Sequence, residues 1–367
     1  MSALSSETNP EFRLRLFQAP PEGHPIHAEW SRFCEDHLLH LCDEQIWQES
    51  AVRTRTDFRD FRIWAGYNKT QLVGVVPQVL VDRSFAGLPA TRWEFPEQGV
   101  AFGSMAILPP FQTMFLTAMQ SHPAFWGKAN LVSLTLRNPA ATLLPDLSGS
   151  FLGLRRRSLI KPLSPDQLTF TPQRRRWLSK TEKRLSRWGA PSFRPANATF
   201  QNAWNMLLDI YGDSRKNQLS RSLTTHQPSR DFYQILLAKA WQEERTEVRV
   251  LYLDDLPIAT IWWICRDREA YGVQMAFREK YSYASPGSFL LYASIRDLGE
   301  AGFQRLHLLG NHPYKQLLDS EAEEYLDLFL FRPGFYGWLL EKAAGFSPYP
   351  FQKKSLLLNR EEQGLPV

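Results

Sequence analysis

The sequence predicts an α/β protein made of two similar units. The chain has 367 residues, more than one ordinary hydrophobic core organises, so two domains are expected. Helix-like and strand-like segments alternate along the chain, and the second half repeats the order of the first at a distance of roughly 160 residues. Hydrophobic residues make up 43%, and 12 Trp and 24 Phe provide large apolar surfaces to bury, as in a globular protein.

The first half follows a helix, hairpin, further strand, helix, strand order. Residues 1–25 look like a loose lead, and apolar residues then recur at helical or alternating spacing. Asn68-Lys69-Thr70 provides a short hairpin connection. The predicted elements are a helix at 28–48, strands at 61–67 and 71–81, a helix at 111–120 and a strand at 130–137.

The second half repeats this plan. Residues 138–172 are rich in Pro, Ser and Gly, which indicates a boundary near 165 and domains of 1–165 and 166–367. The predicted helices are 173–188, 200–212, 229–244, 286–301 and 313–319. The predicted strands are 247–253, 257–264, 270–277, 305–309 and 325–331.

Composition limits the class of function without selecting one. The net charge of +5 suits an anionic small-molecule donor, a phosphorylated substrate or a nucleic acid. The cysteines, Cys34, Cys42 and Cys265, show no metal-ligand spacing, so no metal is expected and a reducing compartment fits. Neither a secretory signal nor a membrane-spanning apolar run is visible. We expect a cytoplasmic protein that could lie against a membrane surface.

The most informative segment is 270–315. A strand ends near Phe277, and a polar loop leads to Ser285, a suitable N-cap, followed by Pro286 at the first helical position. A helix N-terminus after such a loop presents backbone amides and a positive dipole end, which hold phosphate oxygens well. A plain strand-to-helix connection is the alternative. The next strand ends in a polar cluster of Gly310, Asn311, Tyr314 and Lys315.

These residues carry a family resemblance. ASPGSFLLYASIRDLGEAGFQRLHLLGNHPYKQLL resembles the C-terminal signature of the CelD/BcsL-type acyltransferases, which are FemAB-related members of the GNAT superfamily. LYLDDLPIATIWWI resembles the hairpin of that family. The similarity is clearest over 170–320, and the first half resembles the family's degenerate first unit only in layout. The resemblance implies two tandem GNAT-like units, each a mixed, mostly antiparallel sheet flanked by helices.

The resemblance also implies an acyl donor and a catalytic group. The donor would be acetyl-CoA or another acyl-CoA, whose pyrophosphate is held by backbone amides of one loop. Tyr314 stands where many GNAT enzymes protonate the leaving thiolate. His307 replaces an acidic residue common in the family, and it is either a base or a hydrogen-bonded core residue. The predicted donor-binding residues are Tyr283, Ser285, Gly287, Ser288 and Phe289.

Other polar residues are candidates for binding the acceptor. Arg215, within the segment 211–218, either lines the acceptor pocket or lies on a surface loop. Asn311 belongs to the polar cluster, and Lys315 contacts donor phosphate or acceptor carboxylate, or is solvated. The basic helix at 173–188 is a clamp for tRNA, for a nucleotide-linked sugar or for an anionic membrane surface, or else a solvated face.

The sequence therefore predicts an acyltransferase that moves an acyl group from acyl-CoA to a primary amine. The resemblance favours an amino-sugar or polysaccharide-precursor acceptor. Two alternatives remain: an aminoacyl-tRNA-dependent transferase of FemAB type, and a non-catalytic binding protein with a GNAT fold. No GxSxG, Walker A or Rossmann glycine motif is present, which argues against hydrolase, P-loop and dinucleotide-binding functions.

Overall fold

The computed structural model describes residues 11–37, 40–96, 103–137, 151–163, 170–196, 199–218, 223–310, 315, 318, 320–346 and 352–353. They form two compact units. The first comprises the described parts of Met1–Glu97, Phe102–Arg156 and Glu324–Val367, and the second those of Arg157–Glu323. The C-terminal residues therefore belong to the first unit, whereas the predicted division at 165 placed them with the second half.

The first unit is built on a mixed sheet in which antiparallel pairs dominate. Its strands are β1 (Phe12–Gln18), β2 (Phe58–Asn68), β3 (Gln71–Phe85), β4 (Leu88–Glu94), β5 (Ala106–Ile107), β6 (Leu131–Arg137), the start of β7 (Phe151–Pro162), most of β13 (Glu321–Phe331) and β14 (Gln352–Lys353). β4 and β6 pair in parallel, whereas the pairs β1–β2, β2–β3, β3–β4, β3–β5, β6–β13 and β7–β14 are antiparallel. The pairing of β13 with β6 brings the late strand into this unit.

Helices cover both faces of this sheet. They are α1 (Pro25–Asp36), α2 (Gln45–Thr54), α3 (Gln112–Ser121) and α9 (Phe335–Ala344). On β2, Ile63 lies in one buried cluster with α1 residues and Trp64 in another with α3 residues, as alternation of side chains requires. Strands buried on both faces appear in sequence as continuous apolar runs, which is why this hairpin was predictable.

Two predictions about the first 54 residues are wrong. The lead at 1–25 contains β1, in which Phe12, Leu14 and Leu16 pack against the core at alternating positions. The single helix predicted at 28–48 is divided into α1 and α2. Between them, the amide of Cys42 donates to Nδ1 of His40 at 3.2 Å at the start of a short 3-10 turn, Leu41–Asp43, and local side-chain bonds of this kind compete with a continuous helix.

Residues 138–172, interpreted from the sequence as a Pro-, Ser- and Gly-rich boundary, contain β7. Its apolar alternation is interrupted by three consecutive arginines, Arg155–Arg157, which hides the strand pattern. β7 pairs with β12 and β14, which are distant in sequence, so local propensity is a weak guide to it. The stretch at 82–110 contains β4, at the place of the further strand expected between the hairpin and the next helix.

The second unit has the same plan as the first. Its strands are the end of β7, β8 (Pro191–Pro195), β9 (Thr246–Leu253), β10 (Leu256–Arg266), β11 (Glu269–Phe277), β12 (Arg305–His307) and the start of β13; its helices are α4 (Pro172–Leu185), α5 (Phe200–Gly212), α6 (Arg215–Gln218), α7 (Gln227–Gln242) and α8 (Pro286–Glu300). β11 and β12 are parallel across α8, as β4 and β6 are across α3. The predicted repetition of one α/β plan is confirmed.

The core of this unit lies between its sheet and α8. Leu290, Leu291, Ile295 and Leu298 of α8 pack with residues of β9 to β11. On β10, Trp262 and Trp263 are both fully buried. Trp262 contacts Phe200 and Trp241, while Trp263 belongs to the cluster beneath α8. Among the described residues, no helix is both long and apolar enough to span a membrane.

Candidate active site

The sheet of the second unit opens between its two parallel strands. Pairing joins Glu269–Tyr271 to Arg305–His307, after which β12 ends and β11 continues to Phe277. A register shift against β10 makes Val273 an extra residue of β11. A bulge of this kind bends a strand locally, and it falls where β11 parts from β12. The opening therefore has a defined structural cause.

The loop after β11 ends in a helix N-terminus without a side-chain cap. Ser285 has a left-handed backbone, with φ of 52°, and its side chain makes no capping hydrogen bond. The amide of Phe289 donates to the carbonyl of Ser285 at 3.1 Å. Within the described part of the chain, the amides of Gly287 and Ser288 have no acceptor. Two amides and the positive end of the helix dipole are thus available to an anion.

Gly287 is needed for close packing at this N-terminus. A Cβ placed on Gly287 would lie 2.9 Å from Cδ1 of Phe277, the last residue of β11. The absence of a side chain therefore lets the first turn of α8 approach the end of the strand. This approach places the uncapped amides directly beside the opening in the sheet.

A salt-bridged arginine fixes the start of the same loop. Arg278 donates from Nε to the carbonyl of Pro257 at 2.9 Å, and its guanidinium pairs with Asp209 and Asp213 at the end of α5. The amide of Glu279 also donates to the carbonyl of Asp213, at 2.8 Å. The loop is therefore attached to α5 at one end and continuous with α8 at the other.

The basic helix α4 lies against this loop. Thr171 caps it by accepting from the amide of Arg174 at 3.2 Å, and Trp177 packs on Tyr292 of α8 at 5.7 Å between ring centroids. The guanidinium of Arg184 lies 5.3 Å from the ring centroid of Tyr283, which is 72% exposed. Exposed basic side chains continue along and beyond the helix, namely Arg175, Arg176, Lys180, Lys183 and Arg187.

Two lysines converge on the end of β11 and the segment after β12. Lys216 donates from Nζ to the carbonyl of Met275 at 3.1 Å and to the Tyr211 hydroxyl at 3.2 Å. Lys315 is buried, and its Nζ donates to the carbonyls of Leu308 and Leu309. The structure therefore buries Lys315 and excludes a solvated position for it.

Burial and mutual repulsion change how readily these lysines hold a proton. Burial is the larger of the two causes that lower the pKa of Lys315 to about 8, and the positive charge of Lys216 is the other. The pKa of Lys216 is also lowered by desolvation of its ammonium group. The hydroxyl of Tyr211, which donates to Gln274, has its pKa raised by burial. Two cations of lowered pKa in one opening form an environment that favours a bound negative charge.

His307 lies in the paired part of the strands. It is buried, stacks on Tyr271 with ring centroids 4.1 Å apart, and its Nε2 lies 2.9 Å from Oε2 of Glu269. The hydrogen bond from His307 is the main reason that the pKa of Glu269 falls to about 2. This arrangement matches the alternative of a hydrogen-bonded core residue, and a role for His307 as a base stays a prediction.

The structure describes only some of the remaining predicted site residues. Arg215 is exposed at the start of α6, next to Lys216, which points its ammonium group to β11. Asn311 and Tyr314 lie outside the described residues, so their roles stay predictions. Sequence reasoning missed Lys216, Tyr211 and Gln274. The segment 211–218 had been singled out, but only the contacts show which of its cations turns inward.

Residues 172–316 match the family model described as "Acetyltransferase (GNAT) domain". This segment runs from α4 through the loop and α8 to Lys315, and so includes every feature described above. This segment, less than half of the chain, is similar to GNAT acetyltransferase domains. A sequence search of curated proteins finds no match.

Three solved structures extend the likeness over most of the chain. FemX has a TM-score of 0.57 at 11% identity, covering 82% of this chain and 95% of that one. The C-terminal domain of a putative lysylphosphatidylglycerol synthetase from Agrobacterium fabrum has a TM-score of 0.53 at 13% identity, with coverage of 86% and 96%. A protein of unknown function from Bacteroides thetaiotaomicron VPI-5482 has 0.53 at 8%, with coverage of 86% and 99%. Similarity to solved structures at such low sequence identity is evidence for a shared fold only.

Proposed function

We propose that this protein is an N-acyltransferase that moves an acetyl or other acyl group from acyl-CoA to a primary amine. The observation that carries the proposal is the uncapped N-terminus of α8 beside the opening between β11 and β12. The amides of Gly287 and Ser288 would hold the donor pyrophosphate, as helix N-termini hold phosphate groups generally. The acyl chain and its thioester would then lie along β11 in the opening.

The chemistry requires an amine, a polarised carbonyl and a proton for the leaving group. The neutral amine attacks the thioester carbon, a C–N bond forms, the C–S bond breaks and the amine proton is lost. Lys315 would place positive charge near the carbonyl oxygen, where negative charge develops in the transition state. Tyr314 as the donor of a proton to the thiolate remains part of the proposal.

The class of acceptor is proposed from the family resemblance, and one structural observation adds to it. The CelD/BcsL-type signature favours an amino sugar or a polysaccharide precursor, including a nucleotide-linked sugar. Lys216 supports an acceptor with an anionic group, because its ammonium has no carboxylate partner among the described residues. Arg215 and Asn311 are the further candidates for contacts with this acceptor.

Replacing Ser288 with tryptophan is expected to abolish donor binding. Ser288 is partly exposed in the first turn of α8, and an indole there would cover the amides that the pyrophosphate needs. Calorimetric titration of acetyl-CoA into the purified protein should show micromolar binding, weakened by about a hundredfold or more in the variant, equivalent to about 3 kcal/mol. Ser179→Trp, at an exposed position on α4, is the matched control and should bind normally.

Equal binding by both tryptophan variants would contradict the assignment of the donor to α8. Absence of acetyl-CoA binding by the unmodified protein would reject acetyl-CoA and direct the test to longer acyl donors and to aminoacyl-tRNA. Binding without transfer to any amine in a broad acceptor screen would favour the non-catalytic alternative.

A second candidate function is favoured by the exposed basic side chains of α4. In this alternative the donor is an aminoacyl-tRNA, and α4 contacts its phosphates beside the same opening. Binding of tRNA to the unmodified protein should then weaken steeply with salt, with log K falling with log salt at a slope of about −3 or steeper. The double variant Arg176→Glu/Lys180→Glu should reduce that slope by about one or two.

Fluorescence anisotropy of labelled tRNA across a salt series measures these slopes. The control variant is Arg13→Glu/Arg296→Glu, which changes the same charge at exposed positions on β1 and α8. If both double variants lower the slope equally, the binding follows net charge and α4 is not a tRNA site.

A further inference from the structure

The helix α9 presents an apolar stripe to solvent. Phe335 is 76% exposed and Trp338 is 51% exposed, and Phe346, just beyond the helix, is 92% exposed. Gly337, Leu340 and Ala344 face the other way and are buried. Helices of globular proteins normally turn their apolar face inward, so the outward stripe of Phe335, Trp338 and Phe346 calls for a partner surface.

The stripe is held rigidly. The rings of Phe335 and Trp338 stack at 5.8 Å between centroids. The hydroxyl of Tyr336 donates to the carbonyl of Pro89 at 2.5 Å, which ties the start of α9 to β4. A Cβ on Gly337 would lie 2.0 Å from the carbonyl oxygen of Arg332, so the chain enters the helix through a packed turn. The aromatic side chains are thus displayed by a fixed element.

Basic side chains lie beside the aromatic rings of the stripe. Lys342 lies within the stripe, with its Nζ 5.9 Å from the ring centroid of Trp338. Arg332, at the start of the turn, is exposed and donates to the carbonyl of Gly127 at 3.1 Å, beside the exposed Lys128. The one carboxylate of α9, on Glu341, is only partly exposed.

A polar pocket adjoins the stripe through Tyr336. It is open, with a volume of about 660 Å³, and its lining includes Arg59 with its salt-bridge partner Asp82, together with Arg83, Thr91 and Asn130. Its polar and charged lining, next to exposed aromatic rings, matches the layered chemistry of a membrane surface, where headgroups lie beside acyl chains.

We propose that the stripe of α9 docks this protein on an anionic lipid bilayer. Tryptophan and other aromatic rings favour the headgroup boundary, because one part of the surface there is apolar and the rest is wet. Lysine and arginine beside them are attracted to anionic lipids. The stripe lies on a convex helix and includes a lysine, which suits a deformable charged surface better than a complementary protein groove. The docking does not depend on the proposed acyl transfer.

Vesicle co-sedimentation tests the proposal with the full chain. Vesicles of equal parts phosphatidylcholine and phosphatidylglycerol should bind the protein, and vesicles of phosphatidylcholine alone should bind it weakly. Phe335→Ser/Trp338→Ser should lower the partition coefficient at least about tenfold, because even partial burial of two aromatic side chains contributes more than one such factor. Leu256→Ser, at the exposed apolar first residue of β10, is the control and should leave binding unchanged.

A variant that changes only the charge of the stripe provides a second test that leaves the aromatic rings in place. Lys342→Glu retains the rings and should weaken binding to anionic vesicles alone, with an effect that shrinks at high salt. A thermal unfolding midpoint within a few degrees of that of the unmodified protein would show that each variant is folded.

Two results would overturn the proposal. One is vesicle binding that is unchanged in Phe335→Ser/Trp338→Ser, which would assign any membrane affinity to other basic surfaces such as α4. The other is absence of vesicle binding together with a dimer that the double variant dissociates in sedimentation velocity. In that case a second copy of the chain would cover the stripe.

Discussion

Lys315→Met is expected to reduce acyl transfer by about a hundredfold or more, the usual cost of removing one charge-stabilising donor from an active site. Lys315 is buried at the opening between β11 and β12, with its Nζ on the carbonyls of Leu308 and Leu309. If its ammonium form stabilises the developing oxyanion, kcat/KM should fall as the pH rises through about 8, the pKa of Lys315. A kcat/KM that instead rises through about 8 in the unmodified protein and loses this step in the variant would assign Lys315 as a base and contradict the cationic role.

The same residue predicts a pH dependence of stability that needs no substrate. Burial lowers the pKa of Lys315 from 10.5 to about 8, whereas the unfolded chain keeps the ordinary value. Between these two pH values the unfolded state holds a proton that the folded state has released, so the free energy of unfolding rises with pH. A pKa difference of this size between the folded and unfolded states changes the free energy of unfolding by about 3 kcal/mol, at about 1.4 kcal/mol for each pKa unit.

Urea unfolding at intervals from pH 7 to pH 10.5 measures this effect. The stability of the unmodified protein relative to Lys315→Met should increase across that range, and most of the increase should lie above pH 8. Lys183→Met, which removes an exposed lysine of α4, serves as the control and should show no such trend. A constant difference between the unmodified protein and Lys315→Met would mean that the Lys315 ammonium is not desolvated in the folded state.

The elements that could be predicted from the sequence are those whose signals are local. The hairpin of β2 and β3, the helices α5 and α7, and the order of β9, β10, β11 and α8 follow from periodicity and turn residues. β1, β7 and β8 depend on distant partners; β1, for example, pairs with β2 some fifty residues away along the chain. Their short or interrupted alternation carries too little local information to identify them.

The candidate site likewise contains one part that local sequence signals predict and another part that depends on contacts between distant segments. The loop before α8 was predictable because Ser285, Pro286 and Gly287 form a local helix-start pattern. The left-handed backbone of Ser285, which leaves the helix without a side-chain cap, was not. The cluster of Lys216, Tyr211 and Gln274 was missed because Tyr211 and Gln274 are 63 residues apart and meet only through the packing of α5 on β11.

Arg62→Met is expected to destabilise the protein by about 2–4 kcal/mol, because two buried backbone carbonyls lose their donor at about 1–3 kcal/mol each, while relief of the desolvated charge offsets part of that cost. Arg62 is 1% exposed on β2. Its guanidinium donates to Oε1 of Gln78 at 2.8 and 3.0 Å and to the carbonyls of Ala124 and Phe125 at 2.7 and 3.0 Å. It also lies 3.8 Å from the ring centroid of Trp93.

This charge is balanced without an ion pair in the described structure. Burial lowers the pKa of Arg62 to about 9, so the side chain stays charged at neutral pH and relies on carbonyl and amide oxygens and on the aromatic face. Methionine fills similar space but leaves the carbonyls of Ala124 and Phe125 without this donor in the core. Oε1 of Gln78 still accepts from Nε1 of Trp64 at 3.0 Å. Lysine would keep the charge but could not make the forked contacts, so Arg62→Lys should also destabilise, by a smaller amount.

Arg59→Met is the matched control, because Arg59 lies on the same strand, is 59% exposed and pairs with Asp82 at the surface. Exposed pairs contribute little, so this change should cost less than about 1 kcal/mol. Urea unfolding of the three variants measures the differences. Equal effects of Arg59→Met and Arg62→Met would show that burial of the guanidinium is not what makes Arg62 important. A large effect of Arg62→Met alone would establish that β2, α3 and the segment after it are joined by a charge held in place by oxygens and rings.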